Sequence, residues 1–240
     1  MVMSESNSQG LITWISEDAV ELCLGPPVAD LTLLKVEKFT RWARSEDPIW
    51  LVDYCYGFGI LSMVVRPERI AIDQISQILG DVFAESGCTI YGESHSSIEI
   101  PVCYDPALGL DLQSVSDLIR LPVEDLIDAH CSRDYRVLTT GFVPGFAYLG
   151  ETDQRIHLPR RDVPRTRVPA GSVAIAENQT VVYPRETPGG WHIIGRMPGR
   201  IVSLSEHSID AKLSIGMTVR RPSLWMASFF GDFICPWGCG

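Results

Sequence analysis

Eight arginines and no lysine lie between residues 155 and 200 of a chain whose net charge is −10. A guanidinium offers a planar fork of N–H donors that bonds both oxygens of a carboxylate or phosphate at once, so this segment suits recognition of planar anions. Arg160 and Arg165, in LPRRDVPR, each follow a proline, which restrains the backbone and aims the fork; Arg196 ends the later run WHIIGR. Between and around them stand Phe146 and Tyr148 in PGFAYLG, Ser172 in VPAGSVAI, Tyr183 in VVYPRE and Gly189, Gly190 and Trp191 in TPGGWH. Two phenols, a hydroxyl beside a glycine turn, an indole wall and several guanidinium groups could bind a small anion and stabilise negative charge developing on it. The competing assignment for the arginines is pairing with acidic side chains of the first domain, and both kinds are expected. For the tyrosines and Trp191 the competing assignment is core packing.

His130 stands apart, in the last turn of a helical run ending DAHCSRDY, where the helix dipole favours its protonated form. A catalytic or ligand role and a capping or core role are both open. Other chemistries lack their residues. There is no GxxxxGK[ST] loop, and Lys35, Lys38 and Lys212 are the only lysines, so this chain has no Walker-type ATP site of its own. Ser172 lacks the second glycine of a nucleophile elbow. Cys235 and Cys239 are close in CPWGC but have no second pair or histidine at zinc spacing, so no metal is expected.

The elements that must position these groups fall into two parts. Over the first hundred residues, an extended stretch (Leu11 to Leu24) precedes a helical pattern through Leu31, Leu34, Phe39 and Trp42. Runs Ile49 to Tyr56 and Ile60 to Arg66 flank a glycine turn, Pro67 opens a second helix with Gly80 as its C-cap, and Ile98 to Tyr104 reads as a strand. The order βαββαβ predicts a ferredoxin-like α+β domain over residues 1–95, bounded by the polar stretch Gly92 to Ser97. Residues 96–240 begin with two short helices, Asp111 to Leu121 and Pro122 to Cys131, and continue as short strands between turns, the pattern of a closed β fold.

The three proline- and glycine-rich motifs, with IEIPVCYDPALGLDL upstream, resemble the 5-oxoprolinase B-subunit family, also known as allophanate hydrolase subunit 1 or the KipI-type histidine kinase inhibitor. The resemblance implies a cyclophilin-like barrel for the second domain and a carboxyltransferase-like half that pairs with a C subunit and works with an A subunit. It further implies ATP-dependent opening of the lactam 5-oxoproline to glutamate, with ATP bound only in the complex. His130, Arg160, Arg165, Tyr148 and Tyr183 match family positions; His95, His157, His192 and His207 match none recognised as functional. The alternatives within the family are a module that inhibits a sensor histidine kinase and an allophanate-related, carboxyltransferase-like component. At Gly59 and Ile60, in YGFGI, this chain departs from the hydroxyl-bearing loop usual in the family.

Composition bounds the rest. Residues 1–95 hold 14 acidic against 6 basic side chains, and the overall acidity speaks against nucleic acid or an anionic membrane as partner. No apolar run reaches about 18 residues, and the first ten residues lack the features of a signal peptide, so a cytoplasmic protein is expected. Seven scattered cysteines argue for reduced, mostly buried thiols.

Overall fold

In the computed structural model, residues 12–27, 29–84, 97–204, 209–220 and 224–225 are described. Cys88, Cys235, Cys239, His95, His207 and the polar stretch read as a domain boundary lie outside them. The chain divides into two compact units, residues 1–91 and 92–240.

The first unit opens with a hairpin, β1 (Ile12–Trp14) and β2 (Ala19–Cys23), where the sequence predicts one extended stretch. Helix α1 (Asp30–Glu46), strands β3 (Leu51–Gly57) and β4 (Ile60–Val65) and helix α2 (Ile72–Ala84) follow. Alternation of period two buries Val20 and Leu22 on β2 and Leu61, Met63 and Val65 on β4. Phe39 of α1 meets Tyr54 of β3 edge-on, with ring centroids 5.0 Å apart. The sheet order β1-β2-β4-β3 is antiparallel throughout, and its fourth strand is β1 rather than the run at Ile98. The ferredoxin-like order predicted for this unit is therefore not reproduced. Gly80 does not end α2 either; Val82, one turn beyond Leu79, is buried, and that burial outweighs the roughly 1 kcal/mol a helical glycine costs.

Pro101 explains the missing strand. It divides the Ile98 run into β5 (Ser97–Glu99) and β6 (Val102–Cys103), both in the sheet of the second unit. There follow α3 (Leu112–Ile119), α4 (Val123–Cys131), β7 (Tyr135–Thr140), β8 (Ala147–Gly150), β9 (Arg165–Val168), β10 (Ser172–Ala176), β11 (Gln179–Val182), β12 (Thr187–Gly189) and β13 (His192–Arg196). Next are β14 (Val202–Leu204), β15 (Ile209–Ala211), β16 (Thr218–Arg220) and β17 (Leu224–Trp225). Nine of these strands form one sheet in the order β17-β6-β13-β10-β11-β8-β7-β16-β5.

Strands β5 and β6 are separated by two residues, yet β5 ends that order and β6 stands next to its other end, so the sheet curls until its ends approach. Among the described residues the edges β17 and β5 are not paired with each other, and the sheet is a curled half-barrel. Its inner face carries Val137, Leu149, Val173, Ile175, Val182 and Ile194, covered by Leu112, Val115, Leu126 and Ala129 of α3 and α4. Alternate residues of the same strands (Ala174, Ala176, Val181, Ile193) point outward into a second, smaller cluster with Phe146, Tyr183, Trp191 and Val168, the last from β9 of the two-stranded sheet β9-β12. Among the described residues no helix is long and apolar enough to cross a membrane. Of the four described cysteines, Cys23 and Cys55 are exposed, contrary to the expected burial; the alternation of β2 and β3 turns them away from the helices.

The YGFGI loop is a two-residue hairpin turn with both central residues left-handed, Phe58 at φ 52° and Gly59 at φ 84°, the geometry of a type I′ turn. A Cβ at Gly59 would also run into the Gly25 carbonyl. Gly59→Ala is expected to lower the unfolding free energy by about 1–2 kcal/mol or more in denaturant melts, with the sheet otherwise retained.

Candidate functional site

The outward face of the half-barrel gathers most of the residues singled out by the sequence. Phe146 packs with Tyr148 and Tyr183 at 5.1 Å each, and Tyr148 meets the Trp191 ring at 6.0 Å. The Arg160 guanidinium lies over the Trp191 ring, 5.8 Å from its centroid, a cation–π arrangement. Trp191 itself is buried, 5% exposed, so it is a core residue of the small cluster as well as the floor beneath Arg160. Burial pushes the Tyr183 hydroxyl up to about 12, offset in part by Arg160, Arg165 and the Trp191 amide. Burial likewise raises Tyr148, against the pull of Arg160. Gly189 must be a glycine because a Cβ there would collide with the Tyr183 hydroxyl.

The sequence reading missed the group that organises this face. Asp111, at the start of α3, is 3% exposed and sits between leucines in GLDL. Arg165 donates to it through both Nη1 and Nη2 at 2.7 Å, Arg161 adds Nη1 at 2.7 Å, and the Ile193 amide of β13 donates at 2.8 Å. Arg165 therefore spends its fork on an internal carboxylate of the second unit, while Arg160 has no ion pair among the described residues. His192, set aside on sequence grounds, also contributes. Its Nε2 lies 3.0 Å from the Pro159 carbonyl, and the Arg161 amide donates to the Gly190 carbonyl at 2.8 Å. The backbone on either side of Arg160 is thus tied to the Gly190–His192 segment. A buried charge flanked by leucines was the available signal for Asp111; nothing local to residues 192 and 159, 33 apart, announces their contact.

His130 lies on the other side of the sheet. Its Nδ1 is 2.6 Å from the Tyr104 hydroxyl and its Nε2 2.8 Å from Thr180 Oγ1, which in turn donates to the Ala174 carbonyl at 3.2 Å. That last bond makes Thr180 an acceptor toward His130, so Nε2 carries the proton and Nδ1 accepts from Tyr104. Burial lowers His130 to about 3, leaving it neutral. Thr180 and Val182 face inward on β11 where Val181 faces outward, so the sheet separates His130 from the Arg160 face. The dipole argument for a protonated His130 is overruled by desolvation.

A family model described as "Carboxyltransferase domain, subdomain C and D" matches residues 11–209. The chain is 41% identical over 183 residues to a protein of Escherichia coli O157:H7 named as the B subunit of 5-oxoprolinase, covering 75% of this chain and 81% of that one. The chain belongs to the 5-oxoprolinase B-subunit family. A Bacillus subtilis (strain 168) protein of the same name is 47% identical over 140 residues, 58% of this chain and 55% of its own. Among solved structures, TTHA0988 superposes with a TM-score of 0.69 at 28% identity, covering 91% of this chain. The chain spans just over half the length of the Bacillus subtilis relative and 41% of TTHA0988.

In this member of the 5-oxoprolinase B-subunit family two further residues singled out by the sequence sit deeper than an open anion site requires. Ser172 is fully buried, and among the described residues its Oγ has no partner; Arg196, directly opposite it on β13, is half-buried, and its Nε likewise has none among them. Gly190 is open, with Pro164 3.7 Å from where a Cβ would lie. Among the described residues no three His, Cys, Asp or Glu side chains converge as a metal site would need.

Two measurements follow from this geometry. Asp111→Ala leaves two arginines and an amide without their acceptor, and is expected to cost about 3–5 kcal/mol in denaturant melts, the loss typical of a broken buried pair. A cost under about 1 kcal/mol would show the cluster to be dispensable. For His130, the folded value of about 3 lies below the unfolded one near 6.5. Above pH 6.5 both states are neutral and its contribution is intact; below it the unfolded chain binds a proton that the folded chain does not, so stability falls until about pH 3. Unfolding free energies from urea melts between pH 7 and 4.5 should therefore fall more steeply for the wild type than for His130→Gln, by up to about 1.4 kcal/mol per pH unit. Equal slopes would contradict a neutral His130.

Proposed function

We propose that this chain is the B subunit of an ATP-dependent 5-oxoprolinase, acting with the C and A subunits to open 5-oxo-L-proline to L-glutamate. The observation that carries the reading is the 41% identity to a protein named as the B subunit of 5-oxoprolinase, across 81% of that protein's length. The geometry agrees with it. A lactam carbonyl is a weak electrophile, and phosphorylation of its oxygen converts that oxygen into a leaving group; the negative charge that develops needs fixed cationic donors. The arginine-rich loop around Arg160 offers fixed cationic groups to an anionic substrate. ATP belongs to the assembled complex in this reading, because the chain has no GxxxxGK[ST] loop in its sequence. An incomplete site also accounts for a protein that depends on its partners, and such an assembly works where ATP is made, in the cytoplasm.

Glutamate formation from 5-oxoproline, followed with purified components, tests the proposal. The chain alone is expected to form none, and the mixture with the C and A subunits is expected to form glutamate only when ATP is present. Full activity from the chain alone, or none from the complete mixture, would overturn it.

A further inference from the structure

The Arg160 guanidinium is unusual in this molecule for three reasons that bear on what it binds. Its Cζ lies over the Trp191 ring, 5.8 Å from the centroid, a cation–π contact that consumes none of the N–H donors of the guanidinium. No carboxylate among the described residues takes those donors, whereas Arg165 and Arg161 share Asp111 and Arg167 pairs with Glu186 at 2.8 Å. And its backbone is held at both sides, through the Pro159 carbonyl to His192 and through the Arg161 amide to Gly190. A long side chain on an exposed loop normally loses most of the value of an ion pair to side-chain entropy. Here the clamp and the indole floor have already restricted it, so a carboxylate that arrives meets an oriented fork.

The surroundings set the sign and the shape of the ligand. Among the described residues Arg161 and Arg165 share the single carboxylate of Asp111 and Arg160 pairs with no acid, so the three guanidinium groups leave the patch net positive on an acidic chain. Tyr148, half-buried and 6.0 Å from Trp191, supplies a ring wall beside the guanidinium. A cation held over an aromatic floor with an aromatic wall fits a small, flat, singly charged carboxylate better than a polyphosphate, which would call for several unpaired cations.

We infer that Arg160, stacked on Trp191 and clamped through His192 and Gly190, is the subsite for the ring carboxylate of the lactam substrate, with Tyr148 against the ring. The inference rests on the functional reading above, and its test keeps the two apart. In the reconstituted complex, kcat/KM is compared for 5-oxo-L-proline and for its primary amide, which keeps the lactam but lacks the carboxylate. The wild type prefers the acid. Arg160→Gln lowers kcat/KM for the acid by about 10- to 100-fold, as loss of a charge-assisted contact does, and leaves the amide within a few-fold of wild type, while Arg160→Lys falls between. Equal losses on both substrates, or retained preference for the acid, overturn the assignment. Failure of Arg160→Gln to co-elute with the C subunit also overturns it, since the fork then belongs to a partner's carboxylate.

If the wild-type complex opens neither compound, it is the functional reading that fails. The subsite is then judged on the isolated chain by NMR of the Arg160 guanidinium, titrated with 5-oxoproline and separately with acetate. A saturable shift with 5-oxoproline that the amide does not produce supports the subsite. A response to neither carboxylate sinks it, and an equal weak response to both shows adventitious anion binding only.

Discussion

One buried carboxylate holds the second unit's outward face together. Asp111 accepts four hydrogen bonds, three from two guanidinium groups and one from the Ile193 amide, while its own amide donates to the Ile193 carbonyl at 2.8 Å. The first turn of α3, strand β13 and the loop entering β9 are thereby joined at a single side chain. A charge 3% exposed is costly unless every lone pair is used, and here the oxygens are supplied with donors from three directions. Take that acceptor away and Arg165 would leave a charged fork facing a partly buried cavity. The same contacts that make Asp111 tolerable occupy the fork of Arg165, whereas the neighbouring Arg160 has no ion pair among the described residues.

The period of a strand then divides the chemistry in two. Along β11, Thr180 serves His130 on the inner face while Val181 packs in the outer cluster, and the same alternation runs along β8, β10 and β13. A histidine inside the half-barrel sits with both ring nitrogens bonded and its charge suppressed. It joins α4 to β11 through Thr180 and to Tyr104 beyond the short strand β6, tying that helix to the sheet. Because a β-strand cannot present adjacent residues on one face, no local rearrangement brings His130 to the arginines.

What was legible in the sequence was local. Apolar spacing at Leu31, Phe39 and Trp42 marked α1, the Gly59 hairpin marked β3 and β4, and prolines marked the start of α4. Failures came where distant packing decided. Gly80 reads as a helix stop until Val82 is known to be buried, and Ile98 to Tyr104 reads as one strand until the curl of the sheet places one half at an edge and the other next to the opposite edge. The outward aromatic group was found because its residues cluster in motifs, whereas Asp111 and His192 were not, since their partners lie 54 and 33 residues away.

That separation also explains why the loop from Leu158 to Arg165 contains arginine and not lysine. Three jobs are done within six residues: Arg160 stacks on an indole, Arg161 reaches a buried oxygen with one nitrogen, and Arg165 matches both oxygens of the same carboxylate. Each depends on a planar, delocalised cation whose donors point in fixed directions, and an ammonium on a flexible stem supplies neither the stacking face nor the paired donors. The prolines at 159 and 164 complete the arrangement by fixing φ just before Arg160 and Arg165, so that less freedom remains to be lost when either fork is filled. Charge in this segment is therefore ordered by geometry, two of its arginines being fixed on one buried carboxylate and the third on an indole.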